Sequence, residues 1–265
     1  MLTTLAGVLG FPAGHSRSPA MMNAAFAELG LDWRYLALPV PPDRFVETVR
    51  ALPGSGYRAA NVTIPHKRAA HDVADSLTDA ARAIGAVNTL GFDDEGAVTG
   101  HNTDAGGLLD ALGEPPPATS LVMGAGGAAR AAVWALANAG SRVTVWNRSP
   151  GRARALAKEL GVEHAERPGP AELLVNATAV GLHPDDSLEG LPLVDARVVV
   201  ELVYGERPTP VARWAEERGA RLVDGIEVLV RQGALSLSFW TGAEAPLEVM
   251  RRAVVQAASS TSAQA

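Results

Sequence analysis

An α/β fold of two domains is predicted, on three observations. Strand-like and helix-like stretches alternate along nearly all of the 265 residues, the pattern of sheets covered by helices. A proline run, Glu114-Pro115-Pro116-Pro117, interrupts the alternation and marks a border. Just beyond it, Gly124-Ala125-Gly126-Gly127-Ala128-Ala129 lies between an apolar run and a helical one, where a dinucleotide-binding turn belongs. We therefore expect an α/β domain over residues 1–113 and a Rossmann-type doubly wound domain over residues 114–230.

Each element has its own signal. Leu5 to Gly10 is a short apolar strand candidate. A helix is expected from Pro19 to Leu29: Ser18 caps it, Pro19 takes its first position, and Gly30 ends it. Met22, Ala25, Phe26 and Leu29 form its apolar stripe. Trp33 to Val40 reads as a strand, Asp43 to Leu52 as a helix and Ala59 to Ile64 as a strand. Val87 to Phe92 and Ala97 to Gly100 read as a hairpin about Asp93-Asp94-Glu95-Gly96. After the proline run, strands are expected at Ser120 to Met123, Arg142 to Trp146, Leu173 to Asn176, Val198 to Val203 and Arg221 to Val223. Helices are expected at Ala128 to Ala139, Arg152 to Leu160 and Thr209 to Arg218. Ile226 to Trp240 and Leu247 to Ala257 read as two closing helices, and Ser259 to Ala265 as a frayed tail.

Composition narrows the function. Residues are 47% hydrophobic and 20% charged, as in an ordinary globule. The formal charge of -6 provides no global basic field for nucleic acid or an anionic membrane. With no cysteine, disulfides and Cys-ligated metals are excluded, and the six histidines lack ligand-like spacing, so no metal is expected. Leu5 to Ala13 is apolar but has no basic lead and no cleavage site, and no run reaches membrane-spanning length. A cytoplasmic protein with a small-molecule partner is the expectation.

Lys67 ends the run Asn61-Val62-Thr63-Ile64-Pro65-His66-Lys67, where Pro65 stops an apolar strand. A lysine just past a strand end projects an ammonium with three donors, which suits a general acid beside a carbonyl. Asp104, in Asn102-Thr103-Asp104, supplies a carboxylate partner. Amine, carboxylate and dinucleotide turn together point to hydride transfer to or from a carbonyl. Asn61, Thr63 and Asn88 add uncharged hydrogen-bonding groups suited to a small polyol, although each alone is as well explained by satisfying the backbone. Ser16 and Ser18 flank a helix start that attracts carboxylates; simple capping by Ser18 explains the pair equally well.

The cofactor is read after the next strand. An acidic residue there would favour NAD through the ribose 2′-hydroxyl. The chain has Asn147-Arg148-Ser149-Pro150-Gly151-Arg152 instead, and two guanidinium groups at a helix start suit a 2′-phosphate, hence NADP.

From Gly10-Phe11-Pro12 to Trp240-Thr241-Gly242 the chain resembles the shikimate dehydrogenase family. The motifs quoted above carry the resemblance, with Gly85-Ala86-Val87-Asn88-Thr89, Asn176-Ala177-Thr178 and Gln232-Gly233-Ala234. It implies reversible NADPH-dependent reduction of 3-dehydroshikimate to shikimate, in a cleft between the two domains, by a monomer or homodimer. It also implies that helices over residues 231–258 complete the first domain. By resemblance Lys67 is the acid/base, paired with Asp104. Ser16 and Ser18 meet the substrate carboxylate, and Asn61, Thr63, Asn88, Asp104 and Gln232 the hydroxyls, with Tyr204 nearby. Gly124, Ala125, Gly126, Gly127 and Ala128 take the pyrophosphate. Asn147, Arg148, Ser149 and Arg152 take the 2′-phosphate. Thr178, Leu202 and Gly225 line the nicotinamide side, and Asp79 touches the cofactor. Two residues depart from the family pattern: Glu201 where aspartate is frequent, and Glu206 where proline is usual. The competing functions are a quinate/shikimate dehydrogenase of broader specificity, a methylenetetrahydrofolate dehydrogenase type, and a non-catalytic dinucleotide-sensing module.

Overall fold

The computed structural model describes residues 3–14, 16–183, 185–205 and 207–262, with side chains through residue 257. Two compact units emerge, Met1–Thr103 with Val230–Ala265, and Asp104–Leu229.

The first unit contains β1 (Thr4–Gly10), α1 (Ser18–Glu28), β2 (Trp33–Pro39), α2 (Phe45–Ala51), β3 (Tyr57–Val62), α3 (Lys67–Val73), β4 (Ser76–Leu77), α4 (Asp79–Ile84), β5 (Thr89–Phe92) and β6 (Val98–His101). Its sheet runs β2-β1-β3-β5-β6-β4. β1 pairs in parallel with β2 and β3, whereas β5 is antiparallel to both β3 and β6. The β5–β6 hairpin turns where the Asp-Asp-Glu-Gly signal lies: Asp93 Oδ1 accepts the N–H groups of Glu95 and Ala97 at 3.0 and 2.8 Å, and Gly96 takes a φ of 86°. Tyr35, Phe26, Phe45 and Leu9 are among its fully buried side chains.

The second unit contains α5 (Asp104–Leu112), β7 (Thr119–Met123), α6 (Gly127–Asn138), β8 (Arg142–Trp146), α7 (Pro150–Leu160), β9 (Glu163–His164), β10 (Leu173–Asn176), β11 (Val198–Glu201), α8 (Pro210–Glu217) and β12 (Arg221–Val223). All six strands are parallel, in the order β12-β11-β10-β7-β8-β9. This is the doubly wound dinucleotide fold, with β7 at the point where the order reverses. Every residue of β10 and β11 is buried, the signature of strands covered on both faces.

α9 (Gly225–Thr241) leaves the second unit and enters the first, where α10 (Leu247–Ser262) packs on α1.

Several expectations change. α5 packs on α6, so the division between units falls before Asp104 and not at the proline run. The capping position of α1 belongs to Arg17, and Ser18 is already helical, with its N–H donated to Ser16 Oγ at 3.3 Å. α10 continues to Ser262, through most of the expected tail; residues 263–265 lie outside the described region, as does Glu206. The short helices α3, α4 and α5 were not among the expected elements.

Two glycines should respond differently to alanine. A Cβ at Gly124, whose φ is 124°, would lie 2.5 Å from the Ala177 carbonyl oxygen, a backbone atom. At Gly233 the nearest atom is the terminal methyl of Met21, 2.3 Å away but on a flexible side chain. We expect Gly124→Ala to cost at least about 2 kcal/mol. We expect Gly233→Ala to stay within about 1 kcal/mol of the parent, because helix propensity offsets the methyl's displacement. Urea unfolding of both variants checks this; equal losses would refute the distinction.

Candidate active site

The first unit holds a buried lattice of amides and hydroxyls. Asn61, near the end of β3, accepts the Tyr35 hydroxyl at 2.8 Å. Its amide nitrogen donates to the Asn88 carbonyl at 3.1 Å, Thr89 Oγ1 at 3.2 Å and Ser236 Oγ at 2.9 Å. Asn88, directly before β5, accepts the Thr103 N–H at 2.7 Å and the Thr89 hydroxyl at 3.0 Å on Oδ1. Its Nδ2 donates to Thr103 Oγ1 at 2.9 Å and Gln232 Oε1 at 3.2 Å. Ser236, one turn beyond Gln232 on α9, shares hydrogen bonds with Thr89 and Thr103 at 2.9 and 3.0 Å. Asn61, Asn88, Thr89, Thr103 and Ser236 are all buried, and a polar group in such a place is stable only when partnered.

This lattice places two chain segments. Lys67 opens α3, and its carbonyl accepts the Val87 N–H at 2.8 Å. Asp104 opens α5 directly after Thr103, whose N–H is held by Asn88. The Val87-Asn88 pair therefore fixes the backbone at both. On its other side Lys67 is secured through His66. That ring stacks on Phe45 with centroids 4.4 Å apart, and its Nε2 lies 2.7 Å from the Val40 carbonyl oxygen. Since a carbonyl only accepts, Nε2 carries the proton. Burial lowers the His66 pKa, with the Val40 bond partly opposing, so the ring is neutral at neutral pH.

Other expected residues of this unit are placed less tightly. Thr63 lies just past β3 and is half-buried; a Cβ on Gly10 would stand 2.4 Å from its methyl. Thr63 and Gly10 thus form a close-packed pair. Ser16 is half-buried and Ser18 buried. Asp79 is exposed at the start of α4, which Thr78 caps by accepting the Ala81 N–H at 3.3 Å.

In the second unit the glycine turn follows β7, at the reversal of strand order. Gly124 N–H donates to the Trp146 carbonyl at 2.8 Å, while its missing side chain lets the turn approach Ala177. Ala125, Gly127 and Ala128 are half-buried and Gly126 is exposed; Gly126 takes the capping position of α6 with no side chain bonded to the helix end. The first N–H groups of α6 are thus suited to an anion. Asn147 bonds the Ser149 carbonyl at 3.1 Å and shapes the entry to α7. Arg148, Ser149 and Arg152 are exposed there, and no acidic residue stands in the first turn of α7. Two cations at that end oppose the helix dipole, an arrangement that an anionic ligand relieves.

At the carboxyl ends of β10 and β11 lies Glu201, 1% exposed. The Asn176 amide donates to Oε1 and Oε2 at 2.9 and 3.0 Å, the Val203 N–H to Oε1 at 2.9 Å and the Thr209 hydroxyl to Oε2 at 2.7 Å. Asn176 Oδ1 in turn accepts the Thr178 N–H and hydroxyl at 3.1 and 2.7 Å. Leu202 and Tyr204 follow on the same loop, both half-buried. Gly225 is required where it stands, because a Cβ would meet the Val203 carbonyl oxygen at 2.6 Å.

Among the described residues no group of three or more His, Asp or Glu side chains could hold a metal ion, and no helix is long and apolar enough to cross a membrane.

Three stretches of the chain match known protein families. A shikimate dehydrogenase substrate-binding domain matches residues 8–90, a shikimate/quinate 5-dehydrogenase domain residues 111–174, and a shikimate 5′-dehydrogenase C-terminal domain residues 225–255. The shikimate dehydrogenase (NADP(+)) of an Anaeromyxobacter species is 45% identical, covering 95% of this chain and 96% of the relative. The chain belongs to the shikimate dehydrogenase family. The enzyme of the same name from Methanopyrus kandleri is 43% identical over 96% of both chains. The crystal structure of Thermus thermophilus shikimate 5-dehydrogenase in complex with NADP(H) and shikimate is 38% identical, with a TM-score of 0.86 over 96% of this chain and 99% of that one.

The sequence reading left out Tyr35 and Ser236 and gave no role to Thr89, Thr103 and Asn176, which stood in quoted motifs. Ser236 was accessible through its i+4 spacing from Gln232.

Glu201 yields a pH prediction. Burial raises its pKa from 4.5 to about 7, against the opposing hydrogen bonds from Asn176, Val203 and Thr209. Between those values the folded protein binds the proton more tightly than the unfolded chain. Stability from this group is therefore present at acid pH and lost as pH rises to about 7, amounting to roughly 3 kcal/mol. Glu201→Gln should flatten this part of the curve in urea titrations from pH 5 to 8. An unchanged slope in the variant would assign the pH dependence elsewhere.

Proposed function

We propose that this chain catalyses reversible NADPH-dependent reduction of 3-dehydroshikimate to shikimate, an oxidoreductase reaction at a CH–OH group. The observation that carries the reading is the double hold of the Val87-Asn88 pair. Its N–H on the Lys67 carbonyl and its amide on Thr103 set the two candidate catalytic residues at the first positions of two helices. Full-length likeness to shikimate dehydrogenases supports the substrate.

Bound in the second unit, NADPH would supply the hydride for reduction of the C3 carbonyl. Lys67 donates a proton to the developing alkoxide, and Asp104 orients the ammonium and a hydroxyl. Gln232, Thr63, Asn61 and Asn88 meet the hydroxyls of the substrate. Ser16 and Ser18 meet the carboxylate, with Tyr204 near the ring. The glycine turn, Gly124 through Ala128, holds the pyrophosphate, while Asn147, Arg148, Ser149 and Arg152 hold the 2′-phosphate. Thr178, Leu202 and Gly225 line the nicotinamide, and Asp79 meets the cofactor. The first unit is thus the substrate domain and the second the NADP domain. Absence of cysteine and a net charge of -6 fit a cytoplasmic enzyme with no nucleic-acid or membrane partner.

Lys67→Ala should keep its fold and its affinity for NADP and lose roughly 10²- to 10⁴-fold in turnover. Steady-state kinetics with shikimate and NADP test this. Near-parental turnover removes the acid/base role, and a rise confined to the Michaelis constant turns Lys67 into a binding residue. Running the parent with quinate and with NAD separates this reading from broader quinate/shikimate specificity.

Arg148→Ala should weaken NADP by about tenfold, the scale of one charged hydrogen bond, and Arg152→Ala likewise, with far smaller effects on NAD. Calorimetric titration of each variant with both cofactors decides; equal losses for the two cofactors contradict a 2′-phosphate contact.

A further inference from the structure

The reaction as written uses Thr178, Leu202 and Tyr204 but has no part for the buried carboxyl group that all three depend on. Glu201 ends β11, and its four incoming hydrogen bonds come from three separate segments: Asn176 at the end of β10, Val203 just beyond β11, and Thr209 at the start of α8. Asn176 transmits the hold outward. With its amide nitrogen on the carboxylate, its oxygen faces the other way and accepts both the N–H and the hydroxyl of Thr178. Thr178 Oγ1 then accepts the Val180 N–H at 3.1 Å, closing the loop after β10. On the other side the Val203 bond bends the chain immediately between Leu202 and Tyr204. The hydroxyl of Thr209 donates to Glu201 while its oxygen accepts the Ala212 N–H at 3.1 Å, so α8 is registered to the same carboxylate.

We propose that Glu201 is a positioning residue for the nicotinamide end of the cofactor: an acceptor-only group that sets Thr178 through Asn176 and sets Leu202 and Tyr204 through Val203. The inference rests on the NADP reading above. Charge and not shape is the operative property, because every partner arrives as a donor. A glutamine has the same outline but must aim an NH₂ group at Asn176, at Thr209 or at the Val203 N–H, and one or more of those bonds is lost. The adenosine end of the cofactor, at Arg148 and Arg152, touches none of these partners. A local positioning role therefore predicts that the two ends of the cofactor separate experimentally.

The test is calorimetric titration of parent, Glu201→Gln, Glu201→Asp and Thr209→Val with NADP and with adenosine 2′,5′-bisphosphate, alongside kcat for shikimate oxidation. In Glu201→Gln, NADP affinity should fall about tenfold and kcat should fall with it, while the bisphosphate binds within about twofold of the parent. Thr209→Val, which removes one donor and keeps the charge, should show the same split more weakly and covers the case in which Glu201→Gln does not fold. Glu201→Asp, with its charge kept, should recover part of the loss. Equal weakening of both ligands in the folded variants, or no change in either, overturns the inference. Failure of the parent to bind either ligand overturns the NADP reading itself, and this inference with it; that result appears in the parent and not only in the variants.

Discussion

Asn88 is the point from which the candidate site is built. A fully buried amide has two donors and an acceptor to satisfy, and here each bond reaches a different segment of chain: Thr89 beside it, Thr103 ahead of Asp104, and Gln232 on α9. An unpartnered amide in that position would cost on the order of 1–3 kcal/mol, so the segments are held in register by the penalty for separating them. Val87, one residue earlier, adds the bond to the Lys67 carbonyl. The two candidate catalytic residues, far apart in sequence, are thereby referenced to one dipeptide. Preorganisation of this kind is what general acid catalysis needs, since a small misplacement of the donor is costly in rate.

The second unit solves a different problem with a different device. A pyrophosphate requires close approach of uncharged backbone, and side chains obstruct it. Gly124 permits the tight turn from β7, where the Ala177 carbonyl occupies the volume of a β-carbon, and Gly126 leaves the backbone bare at the start of α6. The same crowding recurs at Gly225 against the Val203 carbonyl. In the function proposed above, specificity for the 2′-phosphate falls to exposed Arg148 and Arg152 at the next helix start, where flexibility is tolerable because charge attracts over a longer range than a hydrogen bond.

The alternation of strands and helices, the parallel sheet of the second unit and its glycine turn were legible in the sequence because each rests on local chemistry. The mixed character of the first sheet was only partly so. The hairpin from Thr89 to His101 announced itself through Asp93 and Gly96, but the pairing of β5 against β3 is a long-range choice that no local signal carries. Lys67, Asn61 and Asn88 were singled out from their residue types and positions, and Gln232 from its motif's resemblance to a known family. Thr89 and Thr103 stood in the same motifs without a role, and Tyr35 and Ser236 were not marked at all, since a hydroxyl looks the same in a sequence whether it meets water or closes a buried lattice. Ser18 shows the converse error. A serine before a proline reads as a cap, yet the helix begins one residue earlier than the pattern suggested and Ser16 meets its N–H.

The two units also differ in how they bury polarity, and the difference has a functional consequence. The hydrogen bonds described around Asn88 join amides, hydroxyls and backbone atoms, which carry no charge. Around Glu201 the central group is ionisable, and its burial brings protonation into the neutral range. A protonated carboxyl must turn one oxygen from acceptor to donor. Of its partners only the Thr209 hydroxyl can accept in return, because Asn176 and Val203 approach through N–H groups. Protonation therefore reverses the Thr209 bond and removes the charge that the Asn176 and Val203 N–H groups meet, so the loops after β10 and β11 are held most firmly while Glu201 is ionised.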